Sequence, residues 1–241
     1  MKYAVFSDIH SNLEAYEAVL EAIADEKVDG CYCVGDIVGY GADPIGCIKK
    51  TRRLNPHIVA GNHDWGAVGL TDINYFNQNA REAIQWTAQQ LRDEDKGYLK
   101  ALKILYNKDF IMVHGTLDRP EEFDYMLSLN TAHTTFLLMD KEVCFVGHSH
   151  VAGVFVADKQ GGVDYNPWPQ VRLEEGLKYI INVGSVGQPR DADPRAAYCI
   201  YDTQKGAIDI KRIKYDVQLA QEKIIKAGLP RILAERLSLG K

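Results

Sequence analysis

The sequence predicts an α/β fold whose functional loops meet along one sheet edge. Three observations predict it. Short β-branched or aromatic runs recur along the chain, helical patterns separate the early ones, and each run ends in a small polar or glycine cluster. In open α/β sheets, loops at the carboxyl ends of the strands gather into one site.

The elements follow in order. Lys2–Phe6 leads into Ser7-Asp8-Ile9-His10, 30–34 into Gly35-Asp36, and 56–60 into Gly61-Asn62-His63-Asp64. Later, 110–113 leads into His114-Gly115, 143–146 into Gly147-His148-Ser149-His150, and 179–183 into Gly184-Ser185. Leu13, Tyr16, Ala18, Leu20 and Ile23 form a helical stripe behind the cap candidates Ser11 and Asn12. Residues 75–91 also read as a helix. This alternation implies a βαβ arrangement with a largely parallel sheet in the first half. The second half is richer in strands, over 151–158, 161–166, 177–183, 196–203 and 206–213, before helical segments at about 216–227 and 230–239. With no linker, repeat or low-complexity tract, 1–241 reads as a single domain.

Composition narrows the function. The formal charge of −5 argues against a nucleic-acid partner, because phosphate-tracking proteins carry a basic face. No window approaches the roughly 18 apolar residues of a membrane span, and no signal-peptide pattern opens the chain. The five cysteines, Cys31, Cys33, Cys47, Cys144 and Cys199, are odd in number and sit mostly in apolar runs. They read as buried free thiols, and the expected location is cytoplasmic.

Chance sorts the motifs. D-x-H is expected about 0.6 times in such a chain, but G-H-x-H about 0.02 times and G-N-H-D about 0.002 times. Five of the seven histidines lie in the clusters; His57 and His133 lie outside and read as structural or surface residues. Carboxylate, imidazole and amide oxygen together suit divalent Mn, Fe or Zn, and the missing thiolates disfavour a structural zinc site. Two metals about 3.5–4 Å apart need a bridging ligand, which a carboxylate supplies. Any one of Asp8, Asp36 or Asn62 could instead cap a turn, but burying the whole set without a cation would be costly.

In this order, Asp8-Ile9-His10, Gly35-Asp36, Gly61-Asn62-His63-Asp64, His114 and Gly147-His148-Ser149-His150 resemble the pattern of the calcineurin-like metallophosphoesterases. The motifs cover 1–150, and 182–198 looks like the closing segment of small bacterial and archaeal members. The resemblance implies two packed mixed β-sheets flanked by helices, a four-layer α/β/β/α sandwich. It implies two divalent ions, manganese first with iron, zinc or nickel as alternatives. One would take Asp8, His10 and His150, the other Asn62, His114 and His148, with Asp36 bridging. His63 would contact the substrate phosphate or protonate the leaving oxygen, Asp64 would help orient it, and Asn62 would also face substrate. The implied reaction is attack on phosphorus by hydroxide generated at the metal pair, on a small or nucleotide-type mono- or diester.

One departure narrows the substrate. Protein Ser/Thr phosphatases and dinucleoside polyphosphate hydrolases of this superfamily carry G-D-x-V-D-R-G, where this chain has Gly39 and Tyr40 in place of Asp and Arg. Arginine offers bidentate phosphate recognition that tyrosine cannot. Arg190 or Arg195 could replace it, or both could be loop arginines paired with Asp191 and Asp193. Residues 65–100 are expected either as a helical insertion shaping the substrate pocket near the active site or as a packing helix with a polar outer face. Asp118–Asp124 is expected as a solvated loop. A non-catalytic scaffold on the same fold is the reading from another class, and a homo-oligomer is compatible with the sequence.

Overall fold

The computed structural model describes residues 1–241. In chain order the elements are β1 (Lys2–Phe6), α1 (Leu13–Asp25), β2 (Gly30–Cys33), α2 (Pro44–Leu54), β3 (His57–Ile58) and α3 (Asn62–Gly66). A 3-10 turn at Ile73–Tyr75 precedes α4 (Gln78–Gln90), α5 (Asp93–Lys100), β4 (Leu105–Asn107) and β5 (Ile111–Val113). After a second 3-10 turn at Pro120–Glu122 come α6 (Leu129–Leu138), β6 (Val143–Val146), β7 (Gly153–Ala157), β8 (Val163–Asn166), β9 (Gln170–Arg172) and β10 (Lys178–Asn182). The chain closes with β11 (Ala196–Asp202), β12 (Ala207–Ile213), α7 (Val217–Lys226), α8 (Arg231–Glu235) and a 3-10 turn at Arg236–Ser238.

The strands form two six-stranded sheets, ordered β3-β2-β1-β11-β12-β9 and β4-β5-β6-β10-β7-β8. Both are mixed. β1, β2 and β3 run parallel and β11 joins antiparallel to β1; β5, β6 and β10 run parallel and β7 joins antiparallel to β10. Two-residue alternation builds the layers. On β1, Tyr3 and Val5 face the second sheet and pack with Phe110, Met112, Phe145 and Ile181, while Ala4 and Phe6 face α1 and α2. On the second sheet, Ile111, Val113, Cys144 and Val146 turn outward beneath Phe136 and Ala132 of α6. The result is the four-layer α/β/β/α sandwich. Fully burying a side chain such as Phe145 is worth roughly 1.5–3 kcal/mol, so the inter-sheet layer is the main scaffold for the loops above it.

Several elements differ from the sequence expectation. The 56–60 run forms only a two-residue edge strand, with Val59 making one bridge to Lys103. The helix expected over 75–91 begins at Gln78, where the Asn77 side chain accepts from the Ala80 amide at 3.0 Å. Helix α5 falls within the helical segment expected over 65–100, whereas α2, α6 and the three-residue strands β4 and β9 were not in the expectation. All five cysteines are free thiols, four of them buried. No helix is long and apolar enough to cross a membrane.

Candidate metal centre

The loops after β1, β2, β3, β5 and β6 converge, and they carry the side chains singled out by sequence. Asp8, His10, Asp36, Asn62, His63, His114, His148 and His150 are all buried, none more than 8% exposed. Their ligand atoms form overlapping groups within 4.8 Å: Asp8, His10 and His150; Asp36, His114 and His148; and His10, Asp36 and His63.

Each carboxylate divides its oxygens. Asp8 Oδ2 accepts the His148 amide at 3.1 Å and Asp36 Oδ1 accepts the His63 amide at 2.9 Å. The other oxygens, Asp8 Oδ1 and Asp36 Oδ2, are buried without a hydrogen-bond partner. They face the imidazoles: His150 Nε2 lies 3.2 Å from Asp8 Oδ1, and His114 Nε2 lies 3.2 Å from Asp36 Oδ2. Asn62 Oδ1 is likewise buried and unpartnered.

Backbone carbonyls fix the rings. The Nδ1 atoms of His10, His114 and His150 lie 3.1, 2.6 and 2.6 Å from the carbonyls of Val38, Val34 and Gln188. A neutral imidazole donating from Nδ1 presents a bare lone pair at Nε2, which is the tautomer a metal requires. His10 and His150 aim their Nε2 atoms at one another across 3.0 Å. Two lone pairs at that distance repel unless a cation lies against them. Orphaned carboxylate oxygens, an orphaned amide oxygen and facing imidazole lone pairs therefore fit divalent ions.

The electrostatics agree with so crowded a set. Burial opposes ionisation of Asp8, but His150, His10 and His114 hold it well below the usual carboxylate range. Burial and then Arg190 push His150 down to about 4. Burial likewise lowers His63 well below the ordinary histidine value, against the pull of Asp36.

The backbone is bent to aim these groups. Asp8, His10, Asp36, His148 and His150 all have positive φ, between 49° and 65°. Such conformations cost of order 1–3 kcal/mol each and persist where the surroundings over-determine them. Glycines make the close approach feasible. A Cβ on Gly147 would strike Ser7 Oγ and Asp8 Oδ2, and one on Gly39 (φ +98°) would come within 2.3 Å of His63 Nδ1.

Residues outside the motifs hold the loops in place. Ser185 Oγ donates to the Asp8 carbonyl at 2.9 Å, Asn12 Nδ2 to the Gly187 carbonyl at 2.8 Å, and Asn182 Nδ2 to the Gly147 carbonyl at 2.9 Å. Sequence reasoning missed their roles, because each pairs across more than 30 residues and no local pattern marks it. Asp64 departs from expectation. Its carboxylate accepts the amides of Asp36, Ile37 and Gly61 at 2.9–3.1 Å, stapling the second motif to the third, and has no hydrogen bond to the His63 ring, whose Nδ1 is unpartnered.

Of the two candidate arginines, only Arg190 is at the centre. Its amide donates to the His150 carbonyl at 3.1 Å and its guanidinium lies 5.6 Å from the Tyr40 ring. Arg195 is an exposed loop residue paired with Asp193, and Asp191 pairs with Arg212 instead. Beside the centre opens a cavity of about 840 Å³ lined by Asn62, His63 and His148, and by Trp65, Tyr75, Phe76 and Asn77 from the 65–100 segment. Glu121, Glu122, Phe123 and Tyr125 close it. As expected of a solvated loop, Asp118, Arg119, Glu121, Glu122 and Asp124 are exposed, but the 118–124 stretch also walls the cavity: Phe123 is buried at its base, and the following Tyr125 stacks on His148 at 3.9 Å.

Residues 1–206 match the model of the calcineurin-like phosphoesterase superfamily domain. The chain belongs to that superfamily. An uncharacterized protein of Methanocaldococcus jannaschii is 40% identical to this phosphoesterase-superfamily chain over 243 residues, covering 99% of it and 98% of the relative. A metallophosphoesterase crystal structure from Sphaerobacter thermophilus, 36% identical, superposes with a TM-score of 0.87 over 100% of this chain and 99% of the other. A hypothetical protein of Pyrococcus horikoshii shares the fold at a TM-score of 0.81 and 20% identity, covering 100% and 98% of the two chains.

Proposed function

We propose that this superfamily member hydrolyses small phosphate esters with two divalent metal ions, manganese first among Mn, Fe, Zn and Ni. The observation that carries the reading is Asp36, whose free oxygen stands between two clusters of bare ligand atoms. In this reading Asp8, His10 and His150 hold one ion, Asn62, His114 and His148 hold the other, and Asp36 joins them. When bound, such a pair supplies Lewis acidity and water of lowered pKa. Two carboxylates among neutral imidazoles leave a metal-loaded site with net positive charge, complementary to a phosphate.

The chain's own residues do the rest. Burial keeps the His63 imidazole neutral in the free protein, so it reaches the phosphate as an N–H donor. Delivering a proton to the leaving oxygen would require the substrate's negative charge to raise its pKa again. Asp64 acts through the main chain, keeping the Asp36 and His63 loops in register. Arg190 sets a positive charge next to His63 and His150 and serves as the phosphate-binding guanidinium that Tyr40 does not provide.

The cavity walls of 65–76 and 121–125 suit a small organic group on the ester. The Gly39–Tyr40 turn favours this over phosphoprotein or dinucleoside polyphosphate substrates, because the left-handed backbone and the His63 ring leave no room for an aspartate at 39. The test is a panel of phosphate mono- and diesters, including bis-p-nitrophenyl phosphate, offered to protein reconstituted with each metal. Turnover of small esters is expected. Silence with every metal, despite metal binding, would favour a scaffold on the same fold.

A further inference from the structure

The cavity beside the centre holds about 840 Å³, and two kinds of side chain set its character. One is aromatic. Phe76 packs against His63 with ring centroids 5.1 Å apart and Tyr125 stacks on His148 at 3.9 Å, so the walls begin at the candidate centre itself. Trp65 meets Phe123 edge to face at 5.7 Å, which joins the 65–77 wall to the 121–125 wall, and Tyr75 stands 90% exposed on the rim. The other kind is acidic. Asp72 lies on the first wall and Glu121 and Glu122 on the second, while no lysine or arginine lines the cavity.

The protein itself neutralises only one of these three carboxylates. Glu122 pairs with Arg119 at 2.9 Å. Asp72 spends one oxygen on the Asn74 amide at 2.9 Å, capping the 3-10 turn, and has no ion pair; Glu121 has neither a hydrogen bond nor an ion pair for its side chain. The cavity is therefore bipolar. A phosphate would sit at the inner end, where Asn62 Oδ1 and His63 Nδ1 are buried without partners and face the cavity. The rest of the ester would lie among aromatic faces and uncompensated negative charge.

We propose that this cavity binds a cationic organic group, so that the substrate is the phosphate ester of an amino or quaternary-ammonium alcohol. The assignment of an ester rests on the hydrolase reading. Aromatic faces attract a cation through the ring quadrupole, and the Asp72 and Glu121 carboxylates add to that attraction. A neutral alkyl group of the same size gains only the apolar contact, and a second anion is repelled. Both acids are exposed and screened by solvent, so the rings of Trp65, Tyr75 and Phe76 carry much of the preference.

The test is calorimetric binding of two phosphonates to the Mn²⁺-loaded full chain. They are 2-(trimethylammonio)ethylphosphonate and its neutral isostere 3,3-dimethylbutylphosphonate, whose P–C bonds resist hydrolysis. The cationic compound is expected to bind about tenfold more tightly. Asp72→Asn with Glu121→Gln keeps the turn cap and the side-chain sizes, and is expected to weaken the cationic compound several-fold while leaving the neutral one unchanged. Equal affinities, no binding of either compound, or tighter binding of benzylphosphonate, whose flat ring needs only the aromatic walls, would overturn the proposal. Bis-p-nitrophenyl phosphate turnover on the same samples reads the hydrolase separately. Cation preference without turnover sinks the hydrolase reading and leaves the cation site standing, whereas turnover without preference sinks the cation site alone.

Discussion

Asp36 divides its two oxygens between different tasks, one accepting the His63 amide and the other facing the imidazoles. Asp36→Asn keeps the size and the amide contact but removes the charge shared by the two proposed ions. It is expected to lower the affinity of both together, read as metal content after gel filtration; retention of both at normal affinity would contradict the bridging role. His63→Ala is expected to behave differently, because no ligand assignment passes through it. Turnover should fall by about 10²–10⁴ while both metals remain, and loss of a metal would show that His63 is itself a ligand. Gly39→Ala tests the tight turn: a Cβ there meets the His63 ring in a left-handed backbone. A loss of roughly 2–4 kcal/mol of stability is expected by denaturant titration. The metal-ligating candidates were legible in the sequence because each ends a strand in a short His or Asp motif. Ser185 and Asn182 were not, since their partners lie far along the chain.

Among the elements, those with strong periodicity were readable and those set by tertiary contact were not. β1 alternates Tyr3 and Val5 against Ala4 and Phe6, and α1 carries both a stripe and an Asn12 cap. β4 and β9 are three-residue edge strands whose pairing lies in the sheet alone, and α6 has apolar residues on more than one face. α2 did advertise itself, with Pro44 at its first position and Arg52 and Arg53 in its last turn. Asn77 has a double function, capping α4 and lining the cavity, so Asn77→Ala is expected to cost about 1 kcal/mol of stability as well as altering substrate preference. Tyr75, 90% exposed on the cavity rim, has no such structural duty. Tyr75→Ala is expected to leave stability unchanged and shift the relative KM values across a panel of esters; an unshifted panel would remove the 65–100 segment from substrate recognition.

For the whole molecule, the two sheets form a frame that holds strained loops at one edge. Five left-handed positions among the candidate ligands and several orphaned lone pairs are a stability cost borne by that frame. Metal binding to the folded state alone offsets this by mass action, so chelation is expected to lower Tm and Mn²⁺ to restore it. The fold class was visible in the strand–helix alternation, but the pairing of strands into two mixed sheets followed only from the family resemblance. The most direct measurement is bis-p-nitrophenyl phosphate turnover as Mn²⁺ is titrated into metal-free protein. The proposed centre requires activity that rises to a plateau at two ions per chain. A plateau at one ion would contradict the bridged pair, and no turnover at saturating metal would contradict phosphoester hydrolysis itself.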